Sequence, residues 1–365
     1  MLAPLFAAWP TLRDELTPVA LGDFPTPIER MSALESELGS GPLFVKRDDL
    51  SAESYGGNKV RTLEVLFGRA LARGATEIIA TGAFGSNHAV ATVLHARRAG
   101  LEPGAVLFPQ PPSFAAVENL RVTLAHAKRL VVLPHWSCLP FGMWLARGAG
   151  RSLMVPGGAT PEGALGYVSA ALEVAEQVAQ GVLPAPRRIY IGVGSTCTTA
   201  GLLVGFALAA RRGLGFRTPE IVAVRVTPWP VTSRYRILGL AVRTSALLAK
   251  LARDPALELG RAELAPGLAI DGAQLGAGYG LPSDAGYEAI ASFRRLALFE
   301  LDTTYSAKSA AAFVSAARGR PDGPLLFWST KSTRALPDVS DAELERAPAI
   351  ARRWLARART SVRRP

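Results

Sequence analysis

The sequence predicts an α/β chain of two lobes, each a mostly parallel sheet flanked by helices, and three features point there. Short apolar runs bounded by turn residues alternate with longer segments at helical spacing, the trace of parallel strands and crossover helices. The alternation occurs as two series, the second beginning at residue 188. Glycine and hydroxyl residues crowd the turns that lead from strand into helix.

In order, residues 43–46 read as a strand, 60–72 as a helix, 77–81 as a strand and 87–99 as a helix. The unit repeats with a strand at 105–108, a helix at 117–126, a strand at 130–133 and a long helix from 163 to 180. The second series gives a strand at 188–192, a helix at 200–212 and a strand at 221–226. No glycine- and serine-rich linker separates the two, so residues 181–186 read as a packed crossover with the active site between the lobes. Residues 134–151 and 227–230 are the least regular.

With 365 residues, 49% hydrophobic and 19% charged, the chain has ample material for a core. Its apolar stretches, such as residues 200–210, fall short of the roughly 20 residues a membrane span needs. The N-terminal segment lacks a basic region and is soon interrupted by Pro10, Arg13, Asp14 and Glu15, so it does not read as a signal peptide and a cytoplasmic protein is expected. Cys138 and Cys197 are too few for a disulfide framework, and neither belongs to a Cys-x-x-Cys pair. The net charge of +11 comes from scattered arginines that cluster only in the tail, at Arg352, Arg353, Arg357, Arg359, Arg363 and Arg364. With no aromatic platform beside them, residues 346–365 read as a solvated amphipathic helix around Trp354 and Leu355 that frays at its end, not as a nucleic-acid site. The excess charge helps to draw in an anionic substrate or cofactor.

Only six of the 41 lysines and arginines are lysines, and one of them, Lys59, ends the run Ser54-Tyr55-Gly56-Gly57-Asn58-Lys59. A lysine amine can lose its proton and attack a carbonyl, which a guanidinium cannot. Lys59 is therefore the candidate Schiff-base residue. A second run, Gly82-Ala83-Phe84-Gly85-Ser86-Asn87-His88, lies between a strand and a helix, where backbone N–H groups and the helix dipole favour an anion such as a carboxylate. A third, Gly192-Val193-Gly194-Ser195-Thr196-Cys197-Thr198-Thr199, again joins strand to helix and suits a cofactor phosphate, since it lacks the Gly-Lys-Ser/Thr ending of a nucleotide loop. His88 and His95 lie seven residues apart without an acidic partner, so no metal site is expected.

A reactive lysine, a serine-asparagine turn and a phosphate loop, in that order over two α/β lobes, resemble the fold type II pyridoxal-phosphate enzymes, which are similar in fold to the tryptophan synthase β chain. Lys46-Arg47-Asp48-Asp49-Leu50 through Lys59, then Ser86-Asn87-His88 and Pro156-Gly157-Gly158-Ala159, look like the 1-aminocyclopropane-1-carboxylate deaminase and D-cysteine desulfhydrase family. Gly163 and Tyr167, Gly276-Ala277-Gly278-Tyr279 and Leu301-Asp302-Thr303-Thr304-Tyr305-Ser306-Ala307-Lys308 extend the match. The resemblance implies a pyridoxal 5'-phosphate cofactor and a homodimer. It also implies a large cofactor-binding domain of residues 1–64 and 180–345, with a small domain of 65–179.

By position, the resemblance makes Lys59 the cofactor lysine and the residue that moves the Cα proton, with Asn58 beside it. Asn87 would bond the cofactor's ring oxygen, and Gly194, Ser195, Thr196, Cys197 and Thr198 would hold its phosphate. Ser86, Asn87, His88, Tyr279 and Tyr305 would meet a small amino-acid substrate. Ser306 departs from the deaminase pattern, in which an acid sits beside the ring nitrogen and strengthens the electron sink. A neutral hydroxyl there favours elimination of a Cβ leaving group over ring opening. Three further departures touch the same region: Gly85 replaces a glutamine, Thr62 replaces a lysine near the phosphate, and Trp328-Ser329-Thr330-Lys331 replaces paired glycines. The irregular segments at residues 135–140 and 227–230 are candidate pocket walls. The expected activity is a lyase acting by α,β-elimination on a D-cysteine-like amino acid, with cyclopropane deamination, β-replacement or a non-catalytic ligand-binding relative as alternatives.

Overall fold

The computed structural model describes residues 2–213 and 217–361 and contains two sheets. The six-stranded sheet is built from β1 (Ile28–Arg30), β2 (Leu43–Arg47), β7 (Arg188–Val193), β8 (Glu220–Arg225), β9 (Leu268–Asp271) and β10 (Leu325–Ser329). Its order is β1-β2-β10-β7-β8-β9, and only the edge strand β1 runs antiparallel. The four-stranded sheet, order β5-β4-β3-β6, contains β3 (Glu77–Ala83), β4 (Glu102–Phe108), β5 (Arg129–Val132) and β6 (Arg151–Leu153), all parallel.

Parallel strands need crossovers and are covered on both faces, so the inner ones are continuous apolar runs without alternation. Residues 189–193 and 325–329 are buried at every position. One face of the larger sheet packs the helices Pro161–Ala179, Cys197–Arg211 and Arg234–Ala252, and the N-terminal Leu2, Leu5 and Leu12 join that core. The other face holds Asp284–Arg295 and Ser306–Arg318. The third core lies around the smaller sheet, with Lys59–Ala72, Asn87–His95 and Phe114–His126. The long helix Pro161–Ala179, which follows β6, thus spends its apolar face on the core of the larger sheet.

The strands and helices read up to residue 226 are present with shifted ends, and the helix read over 87–99 stops at His95 before a 3-10 turn, Arg97–Ala99. The tail differs from its expectation. Ala349–Ser361 is a helix docked on the smaller lobe, where Ala351 and Leu355 are buried and Trp354 meets Phe84 edge to face at 5.2 Å. Its apolar stripe has a partner in the fold, so it is not a solvated end. Arg363 and Arg364 lie outside the described residues.

Candidate active site

Five segments converge beyond the carboxyl ends of parallel strands, following β2, β3, β6, β7 and β10, the end at which open α/β sheets bind ligands. Lys59 opens its helix, and the chain reaches it through a turn clamped to β10. Gly57 N–H donates to Asp48 O at 2.8 Å, Asn58 N–H donates to Thr330 O at 2.8 Å, and Gly57 bridges Lys331. Gly57 has φ of 98°, and a Cβ on Gly56 would stand 2.2 Å from Asp49 O, so both glycines are required by the backbone.

Lys59 is buried, 8% exposed. Its Nζ donates to Gly157 O at 3.1 Å and lies 3.3 Å from Ser195 Oγ, both neutral partners. Burial lowers the amine pKa, partly offset by the nearby Cys197 thiol. Gly157 takes φ of 69°, and a Cβ there would lie 2.2 Å from Ser195 Cβ, so the turn can press against the 194–198 loop.

Residues 194–198 carry β7 into the 15-residue helix Cys197–Arg211, whose N-terminus favours an anion. Thr196 sits at φ of 67°, a strained conformation for a threonine of the kind that clusters at ligand sites. Thr198 Oγ1 accepts from Asn58 Nδ2 at 3.0 Å, and Cys197 Sγ lies 3.3 Å from Gly158 O. Thr227 Oγ1 donates to Gly194 O at 3.0 Å, so the 227–230 segment does reach this loop, with Trp229 74% exposed beside it. The 135–140 segment follows β5, the edge strand of the smaller sheet, and Trp136 is 63% exposed.

In the turn after β3, Ser86 caps the helix Asn87–His95, its Oγ accepting from Ala89 N at 3.3 Å. Asn119 Nδ2 donates to Asn87 Oδ1 at 2.8 Å and to Gly85 O at 2.9 Å. The Asn87 carbonyl is thereby turned to Asn119, which leaves its NH2 end to donate. Gly85 N donates to Gln110 Oε1 at 2.9 Å, and a Cβ at residue 85 would lie 2.9 Å from Gln110 Nε2. A carboxamide therefore stands beside this turn after all, supplied by residue 110. His88 is buried with no partner for either ring nitrogen, and burial, then the Lys59 charge, pushes its pKa down to about 3. It is a neutral imidazole at physiological pH. His95 instead lies 2.8 Å from Tyr55 O.

Tyr279 and Tyr305 share a hydrogen bond at 2.8 Å, and a Cβ on Gly194 would stand 3.0 Å from the Tyr305 ring. Burial raises both phenol pKa values, so both hydroxyls keep their protons at neutral pH. Ser306 Oγ donates to Asp302 Oδ1 at 2.7 Å, while the same carboxylate caps the backbone N–H groups of Thr304, Tyr305 and Ser306. The hydroxyl is thus backed by an acid one turn upstream. One cleft is lined by Tyr55, Asn58, Lys59, Asn87, Thr330 and Lys331. Sequence reasoning missed Tyr55, Gln110, Asn119 and Asp302 as parts of this site; only Asp302, an aspartate just ahead of a helix, carried a local signal.

Two sheets whose strand ends surround a buried amine without an acidic partner, facing a hydroxyl-rich loop at a helix N-terminus, define a class of enzyme that holds a phosphorylated carbonyl cofactor on lysine. A family profile described as "Pyridoxal-phosphate dependent enzyme" matches residues 19–330, and the chain belongs to that family. It is 35% identical over 306 residues to nocardicin C-9' epimerase of Nocardia uniformis subsp. tsuyamanensis, covering 81% of this chain and 88% of that protein. It is 32% identical over 332 residues to D-cysteine desulfhydrase of Salmonella paratyphi C, covering 86% and 93%. A solved ACC deaminase homologue superposes with a TM-score of 0.72 at 26% identity, over 90% of this chain and 94% of that one. A threonine deaminase from Solanum lycopersicum, with a TM-score of 0.57 at 15% identity over 96% and 92%, shares the fold. The enzyme is pyridoxal-phosphate dependent, and its residues fit the cofactor: an amine for the carbonyl, and a strained loop with helix N–H groups for the phosphate.

Proposed function

We propose that this enzyme is a lyase that performs α,β-elimination on a small amino acid of the D-cysteine type, giving a keto acid, ammonia and the Cβ leaving group. The observation that carries elimination over ring opening is Ser306, a hydroxyl in the position where the resemblance expects an acid. The likeness to D-cysteine desulfhydrase supports it. When bound, pyridoxal phosphate supplies the electron sink that acidifies the substrate Cα hydrogen. Residues 194–198 hold the phosphate, with Asn58 bracing Thr198. Asn87 donates its NH2 to the cofactor's ring oxygen, and Asn119 fixes that orientation.

Lys59 Nζ, with a lowered pKa and no carboxylate partner, accepts the Cα proton as the Cβ bond breaks. Ser86 and the N–H groups of its turn receive the substrate carboxylate. The protonated pair Tyr279 and Tyr305 delivers a proton to the departing group, and water converts the released enamine to keto acid and ammonia. Ring opening of 1-aminocyclopropane-1-carboxylate uses the same pocket, in keeping with the solved homologue.

A second reading, inversion at Cα, is favoured by the likeness to nocardicin C-9' epimerase. It uses the same Lys59 and needs a second proton carrier, for which Ser86 is the candidate. We take the chain to be a cytoplasmic homodimer with a large cofactor domain of residues 1–64 and 180–345 and a small domain of 65–179, the helix Pro161–Ala179 packing on the large one.

The test is the visible spectrum of the purified protein before and after D-cysteine, together with assays for pyruvate and sulfide. A Schiff-base band that shifts, with pyruvate released, is expected. Solvent deuterium entering Cα with no pyruvate formed sinks elimination in favour of inversion, and the absence of a band after added cofactor sinks both.

A further inference from the structure

Lys331 is unused by the chemistry above, yet it lines the same cleft as Lys59 and Asn87. Its Nζ donates to Tyr55 OH at 2.8 Å and lies 4.9 Å from the centroid of that ring. An ammonium has three N–H donors, and among the described residues its one protein hydrogen-bond acceptor is the Tyr55 hydroxyl. Among the described residues no carboxylate lies within 4.0 Å of it, and Asp302 and Glu118 act on it only at longer range. Lys46, by contrast, has Glu173, and Lys128 has Glu102. Attraction to Tyr55, Asp302 and Glu118 outweighs burial and keeps the ammonium charged, so its remaining N–H donors can meet an arriving anion.

The placement is also fixed. Lys331 bridges Gly57 through the backbone, and Thr330 O accepts from Asn58 N–H at 2.8 Å, so the Lys331 backbone is tied to the turn that presents Lys59, and Tyr55 of that turn receives its ammonium.

Resting on the amino-acid reading above, we propose that Lys331 binds a second anionic group on the substrate, so that this enzyme prefers amino acids whose side chain carries an acidic substituent. The shared chemistry is a carboxylate, phosphate or sulfonate on the side chain, held by Lys331 while the α-carboxylate occupies the Ser86 turn.

The test compares aspartate with its neutral isostere asparagine, each as both enantiomers, titrated calorimetrically into the holoenzyme. Aspartate of one hand should bind roughly tenfold or more tightly than asparagine, as a charge-assisted hydrogen bond implies. Lys331→Met should bring the ratio near one, while Lys331→Arg should keep part of it; Lys331→Gln replaces the methionine variant if that one fails to fold. Equal binding of the pair by the parent enzyme overturns the proposal, as does a preference that survives in Lys331→Met or Lys331→Gln. If D-cysteine shifts the Schiff-base band but neither isostere binds, the proposal falls and the function stands. If no amino acid perturbs the enzyme, both fall.

Discussion

Lys46 and Lys59 are both buried lysines whose pKa burial pushes down, yet one builds the fold and the other serves chemistry. Lys46 Nζ donates to Glu173 Oε1, Gln177 Oε1 and Thr26 O, all within 2.8 Å, so each of its three donors is met. Arg61 closes the cluster by pairing with both Asp48 and Glu173, and Tyr167 and Trp328 donate to Asp48. Two cations thus face two anions in a satisfied network. Among the described residues, Lys59 Nζ has only a carbonyl and a hydroxyl as hydrogen-bond partners. A carboxylate balances the charge of the paired lysine, whereas burial without one lowers the pKa of Lys59 and eases loss of its proton, which a nucleophile and base requires.

Removing each amine should separate the two roles. Lys59→Ala should lower turnover by more than about a thousandfold. Its thermal midpoint should stay within a few degrees of the parent, and a large drop by calorimetry would erase the distinction. Lys46→Met should do the opposite, costing about 3–5 kcal/mol by leaving an unbalanced buried acid. Urea unfolding reads that loss, and the folded fraction should retain its turnover.

A third expected effect is smaller. Asn119→Ala frees the Asn87 carboxamide to rotate and should weaken cofactor binding by roughly tenfold, read from absorbance on reloading the apoenzyme. The smallest effects concern pH. Burial raises the carboxyl groups of Asp48 and Glu173, but Arg61 and Lys46 together with the hydrogen bonds they receive outweigh it, and both pKa values end below their ordinary range. Their contribution to stability is therefore complete above about pH 4, where the unfolded groups titrate, and declines as pH falls below that. Reloading at Lys59 should instead speed up with rising pH and level off before about pH 10, the ordinary lysine range, because the neutral amine attacks.

Much of the first series and the start of the second was legible because each element is a local pattern. Val60, Leu63 and Phe67 mark one buried helix face, and residues 189–193 form one apolar run. What was not legible depends on distant partners. The insertion of β10 between β2 and β7 is set by pairing Phe327 with Val45 and Tyr190, which no local window contains. The candidate site divides in the same way: the Lys59 turn and the 194–198 loop announce themselves by composition. Gln110, Asn119 and Tyr55 gain meaning only through Gly85, Asn87 and Lys331 across the fold. The tail read as solvated because the surface that covers its stripe lies on residues far earlier in the chain.

That tail ties events at one end of the polypeptide to a turn in its first third. Trp354 packs against Phe84, two residues before Ser86, and donates its indole N–H to Gln110 O at 3.0 Å. On the ribosome the smaller sheet emerges long before the helix Ala349–Ser361 that covers its side, so Phe84 waits uncovered until the bulk of the larger lobe has been made. Alterations of the helix Ala349–Ser361 thereby become interventions in the geometry of the Ser86 turn.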